Sequence, residues 1–229
     1  MIATIGAYHP EVRPHVEVEI WSDVVCPWCY IGKRRFEAAV AELADEIDVK
    51  IVFRSYQLDP TASPGKTVPV IDAYAKKFGG YERAQEILDH VTEVAAESGL
   101  HFRMDRALRA NTLLAHRVLW LAQATGQQVA LKERLLQAYF VDGLDVGDPE
   151  VLATCAAEVG LDHDRVLAFL SSDGGRAEVG HDLQSAIEMD ITAVPTFVFD
   201  GKWIVPGAQD TVTFVQVLRR VVARRTADV

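Results

Sequence analysis

No stretch of this chain reaches the roughly 18 consecutive apolar residues that a membrane-spanning helix needs, so no span through a bilayer is expected. The first 15 residues, which include His9, Pro10, Glu11, Arg13 and Pro14, lack the basic start, apolar stretch and small-residue cleavage site of a secretory signal. Basic charge is scarce as well. The 33 acidic residues against 23 basic ones leave a net charge of −10, which argues against nucleic acid or an anionic membrane as partner. There are three cysteines, and no second C-x-x-C pair that would complete a four-ligand zinc site, so no metal is expected. A disulfide-stapled scaffold is excluded too, because 229 residues that are 49% hydrophobic can build a core without staples. These absences predict a cytoplasmic protein in which residues 1–15 form a tail. In that reducing setting a pair of cysteines points to chemistry rather than to scaffolding.

What the chain does have is Cys26-Pro27-Trp28-Cys29. Upstream, Val16 to Trp21 alternates apolar and polar residues as a half-buried strand does, and Ser22 to Val25 connects onward. Downstream, Phe36, Ala39, Val40 and Leu43 recur at helical spacing, which predicts a helix from near Pro27 to about Ala44. Cys26 then falls at the N-cap. Pro27, at the first helical position, gives up only an N–H that would have no partner there. The free N–H groups of that turn and the positive end of the helix dipole favour a charged sulfur, so Cys26 is expected to be an activated thiolate. Cys29 lies one turn deeper on the same face, placed to close a bridge. The pair therefore reads as a nucleophile, Cys26, and a resolving thiol, Cys29. Cys155, in the apolar run Val151 to Val159, reads as a buried core residue.

The remaining pattern divides the chain. Lys50 to Tyr56 reads as a second strand, after which helical periodicity runs from Val68 to about Glu188. Its segments are Val70–Phe78, Tyr81–Ser98, Arg109–Thr125, Gln128–Val141, Pro149–Val159, Asp162–Leu170 and Gly174–Met189, punctuated by glycines. Strands return at Thr196 to Phe199 and Lys202 to Val205, joined by Asp200-Gly201, the signal of a type I′ turn. A last helix begins near Thr211, capped by Asp210, and its Arg219, Arg220, Arg224 and Arg225 complement the negative helix end. Strand-helix-strand, a helical block, then helix-hairpin-helix is an α/β thioredoxin-like fold with an inserted all-helical domain. Residues 16–66 and 171–229 form the thioredoxin-like domain, and 67–170 form the insertion.

Three motifs carry a resemblance: Ser22-Asp23-x-x-Cys26-Pro27-Trp28-Cys29-Tyr30, Asn111-Thr112-x-x-Ala115-His116-Arg117, and Thr192-Ala193-Val194-Pro195-Thr196-Phe197 followed by Gly207-Ala208-Gln209. On these the chain resembles the DsbA-like thioredoxin-fold oxidoreductases, and most closely their FrnE-like branch. The resemblance implies a cis Pro195 lying against the C-x-x-C, with the backbone of Val194 bared to pair with an extended substrate. The spacing of Asn111 and His116 is compatible with a helix face lining a groove above the cysteines, with a packed histidine the favoured reading of His116. The resemblance also implies thiol–disulfide oxidoreduction on protein or small-molecule disulfides, with no cofactor beyond the cysteine pair and with glutathione as a possible co-substrate. Extracellular relatives carry histidine where this chain has Trp28, so a milder potential and a reductase or isomerase role are expected. One alternative is a glutathione-dependent isomerase or transferase of the kappa or 2-hydroxychromene-2-carboxylate type, including an accessory step in a polyketide pathway. Those enzymes usually carry serine in place of Cys26. A non-enzymatic alternative is a thiol-dependent chaperone that uses the helical block as an apolar cradle.

Overall fold

The structure is a computed structural model and describes residues 13–227. Strand β1 (His15–Ser22) is central, pairing in parallel with β2 (Asp48–Ser55) and antiparallel with β5 (Thr196–Phe199). The hairpin partner β6 (Trp203–Pro206) completes the order β2-β1-β5-β6. β1 begins at His15, within the segment expected as a tail; residues 1–12 of that segment lie outside the described residues. The crossover from β1 to β2 is α1 (Pro27–Glu42), as a parallel strand pair requires. The hairpin turn has positive φ at both Asp200 and Gly201, and Lys202 N–H donates to Phe199 O at 3.0 Å.

Two apolar cores meet at α1. Phe36, Ala39 and Leu43 pack on the sheet together with Phe197, Phe199 and Phe214, the last from α9 (Thr211–Ala227). Phe36 and Phe214 meet edge to face with centroids 5.1 Å apart. Tyr30 and Ile31, on the other side of α1, join a separate core built by the middle of the chain. The opposite sheet face is covered by α8 (Arg176–Glu188), through Ala186 against Trp21 and Val198. The C-terminal helix is tied down by arginines in a way the sequence did not predict. Arg219 pairs with Glu46 at 2.7 Å and Arg225 with Asp200, rather than serving the helix end alone.

Between the sheet's two halves come α2 (Val70–Phe78), α3 (Tyr81–Glu97), α4 (Leu113–Gln123), α5 (Gln128–Gln137), α6 (Pro149–Glu158) and α7 (His163–Ser171). This block is helical except for a two-residue ribbon, in which β3 (Val68–Pro69) pairs with β4 (Leu108–Arg109). The helix expected from Arg109 therefore starts only at Leu113. Asn111 stops it earlier: its amide donates to Ala62 O at 2.7 Å while its oxygen accepts from Leu113 N–H at 3.0 Å. The helix from Gln128 also ends before the predicted Val141, passing into a π-helical turn over Ala138–Asp142.

Two polar side chains, one from this block and one from α8, cap the free edge of β2. The Gln128 amide donates to Phe53 O and accepts from Phe53 N–H, both at 2.9 Å, as a neighbouring strand would. Asp182 on α8 accepts from Ser55 N–H at 2.9 Å. The edge is thus closed by side chains instead of another strand. Arg117, fully buried, gathers the carbonyls of Phe169, Leu170, Ser172 and Gly174 and fixes the turn from α7 into α8.

Candidate active site

Cys26 is the N-cap of α1 and Pro27 occupies the first helical turn. Its carbonyl accepts from Cys29 N–H at 3.0 Å, so the two cysteines share the helix's opening turn. Both are free thiols and both are buried, at 3% and 2% exposure. They face different surroundings. The Cys26 thiol donates to Val194 O at 3.6 Å, next to the Val194–Pro195 peptide bond, which is cis. Ala193, one residue back, is exposed. Close packing holds this loop against the helix: a Cβ on Gly32 would lie 3.0 Å from Pro195 Cγ. Cys29 instead turns toward Ser22, Asp23 and Lys132.

The charge beneath the pair comes from three buried groups. Asp23 Oδ1 bonds His116 Nε2 at 3.1 Å and accepts from Val24 N–H at 2.8 Å, while Oδ2 accepts from Leu58 N–H at 2.8 Å. Burial raises the Asp23 carboxyl, but His116 and these N–H groups bring it below its usual range. Lys132 on α5 is fully buried; burial lowers its ammonium to about 8, against the attraction of Cys29, Asp23 and Cys26. Its hydrogen bond is a long one, to Ser22 O at 3.4 Å, with the Phe53 ring 5.5 Å away. Lys132 and the Ser22 hydroxyl, which has no partner of good geometry, both border an enclosed space of about 10 Å³, close to the size of one water.

These groups act on the two sulfurs as a coupled pair. Cys26 is pushed well above the usual cysteine range, first by the neighbouring Cys29 sulfur and then by burial. Burial also raises Cys29, but the hydrogen bond from Cys26, the Lys132 charge and Ser22 outweigh it and leave Cys29 lowered. The helix turn serves both sulfurs, whereas Lys132 acts more strongly on the inner one. The two sulfurs therefore titrate as one pair that shares a proton, with the Lys132 charge beneath it.

The other sequence candidates fall on both sides of this site. His116 is 1% exposed, beneath the pair and bonded to Asp23, rather than lining an open groove. Asn111 spends its amide on backbone groups. Trp28 is 39% exposed beside the His90 ring, with centroids 6.5 Å apart. Cys155 is buried in α6 at 1% exposure. Lys132 and Asp23 were missed as site residues. Lys132 is held in place by its neighbour: Glu133 accepts from Tyr30 at 2.7 Å and from Arg34 at 2.6 Å, and also pairs with Lys33, which clamps α5 to α1. Among the described residues, no group of three or more His, Cys, Asp or Glu side chains is placed to hold a metal.

The model of the DSBA-like thioredoxin domain matches residues 17–219, which is nearly the whole chain. The chain belongs to the DSBA-like thioredoxin family. A DSBA-family structure from Streptomyces coelicolor, SCO1869, described as a probable DsbA oxidoreductase, superposes with a TM-score of 0.84 at 37% identity, covering 91% of each chain. The uncharacterized protein YwbO of Bacillus subtilis is 30% identical over 204 residues, 84% of this chain and 90% of its own. The fold is shared as well with DsbM, a cytosolic disulfide reductase from Pseudomonas aeruginosa. There the TM-score is 0.63 at 18% identity, over 90% of this chain and 98% of that one. No helix among the described residues is long and apolar enough to cross a membrane.

Proposed function

We propose that this DSBA-like protein exchanges thiols and disulfides through Cys26 and Cys29, with Cys26 as nucleophile and Cys29 as resolving thiol. One observation carries the assignment of roles: Cys26 borders the Val194 carbonyl beside exposed chain, while Cys29 turns inward to Lys132. As substrate arrives, the proton that the two sulfurs share settles on Cys29 and leaves Cys26 as the thiolate. Cys26 Sγ then bonds one substrate sulfur, and the other leaves with the electron pair. Once Cys29 has given up its proton to the leaving thiolate, it attacks Cys26 Sγ and releases the second substrate sulfur. Two electrons pass from the dithiol to the substrate disulfide, and the protein ends as a Cys26–Cys29 bridge. The Lys132 ammonium steadies the inner thiolate through both steps.

Val194 and Pro195 form the wall on which substrate backbone rests, and Pro27 and Trp28 tune the pair. Glutathione is the reductant we assign for resetting it, in the cytoplasm; DsbM has been solved with glutathione. The segment 67–170 acts as the inserted domain roofing the site, and the motifs assign the chain to the FrnE-like branch. The isomerase alternative loses ground to Cys26 itself, since that chemistry is associated with serine at this position. Insulin reduction provides the test. Cys26→Ser should lower turnover to the uncatalysed background, and a variant as active as the wild type would rule out this function.

A further inference from the structure

A cavity of about 700 Å³ opens beside the cysteine pair, within the roughly 300–1,000 Å³ typical of small-molecule sites. Its wall includes Val25, next to Cys26 in the chain, together with Val70, Met104 and Ala110. Its lining also carries Asp72, Lys76 and Lys77, besides Arg109, which is paired with Asp59 at 2.6 Å. Two tyrosines add neutral hydroxyls: Tyr74 from α2 and Tyr139 from the π-helical turn. Tyr139 is only 2% exposed overall and lines the cavity. The π turn that carries it is a rare geometry found mostly at functional sites. Both phenols are held above the usual tyrosine range by burial first, so both stay protonated donors, and both feel the charge of the Cys26 sulfur.

We propose that this cavity seats a low-molecular-weight disulfide with an apolar or aromatic body, and that Tyr139 donates a hydrogen bond to the substrate sulfur as Cys26 attacks. The proposal rests on the thiol–disulfide function above and names its substrate class. The Cys26–substrate bond forms as the substrate S–S bond breaks, and the departing sulfur takes the electron pair while the tyrosine hydrogen bond holds its charge. Cys29 then displaces the second sulfur from Cys26, so the dithiol is oxidised by two electrons and the substrate is released as two thiols. No further reactant is needed for one turnover.

Full-length protein, pre-reduced and freed of reductant, can be mixed rapidly with 4,4′-dithiodipyridine, a neutral aromatic disulfide whose thiopyridone product is coloured. The release rate should saturate with concentration, as binding before reaction demands. Tyr139→Phe, which keeps the ring, should lower the saturating rate about tenfold, and Ala73→Trp, filling the cavity from α2, should remove saturation. A rate that rises linearly to the solubility limit and responds to neither substitution would overturn the proposal, with the protein-disulfide activity left standing. Cys26→Ser releasing thiopyridone as fast as the wild type would overturn the underlying function as well.

Discussion

At the scale of the residue, Lys132 carries a cost and a benefit at once. Its ammonium is fully buried, and its folded value of about 8 lies below the roughly 10.4 of an unfolded lysine. Between those values the unfolded chain binds more protons than the folded one, so the penalty is complete below pH 8 and is relieved as pH rises toward about 10.4. Lys132→Met should therefore stabilise the reduced protein by about 2–3 kcal/mol at pH 7, with the gain shrinking above pH 8 in denaturant titrations. The same substitution should move the first thiol ionisation, read at 240 nm, to higher pH and slow alkylation at pH 7 about tenfold, equivalent to roughly 1.4 kcal/mol. A variant both less stable and equally reactive would show that Lys132 serves packing alone. The residue escaped the sequence because nothing local marks a buried lysine: in Leu131-Lys132-Glu133-Arg134 it looks like one more exposed charge. Cys26 and Cys29, by contrast, announce themselves by spacing, although their charge does not, since the group that decides it arrives from a distant helix.

At the scale of the element, α1 shows what periodicity conveys and what it hides. Phe36, Ala39 and Leu43 revealed the face toward the sheet, but the helix has a second buried face, Tyr30 and Ile31, whose partners lie in the insertion. A pattern read against one core cannot register two. The β2 edge was hidden for a similar reason. Gln128 and Lys132 stand one turn apart on α5, both buried and both turned toward the sheet edge and the cysteines. Gln128→Leu strips Phe53 of both hydrogen bonds in a buried setting and should cost about 2–4 kcal/mol in thermal or denaturant unfolding. Gln128→Glu, which keeps the acceptor for Phe53 N–H but loses the donor to its carbonyl, should also be impaired. Wild-type stability in Gln128→Leu would mean that the edge is held by packing rather than by this pairing. The strand-turn-strand at the end was legible because Asp200-Gly201 encodes its own geometry; the two-residue β3–β4 ribbon was not, because a pair so short leaves no alternation to detect.

At the scale of the whole molecule, the order of elements was readable and the meeting of distant segments was not. The two ends of the chain supply the sheet, and the Pro195 loop returns to lie over α1. The middle contributes the charge that sets the inner thiol and the tyrosines that line the cavity. The helical middle thus contributes to the candidate active site as well as packing beside it. The proposed chemistry requires Cys26 and Cys29 to act as one two-electron couple while Cys155, buried elsewhere, takes no part. Equilibrating the protein across ratios of reduced to oxidised glutathione, quenching with acid, alkylating and mapping the thiols by mass spectrometry tests this directly. Cys26 and Cys29 should disappear together into an intramolecular bridge along a single two-electron curve, with Cys155 alkylated throughout after denaturation. Cys26 and Cys29 remaining as free thiols in fully oxidised glutathione, or a bridge that forms through Cys155, would contradict it.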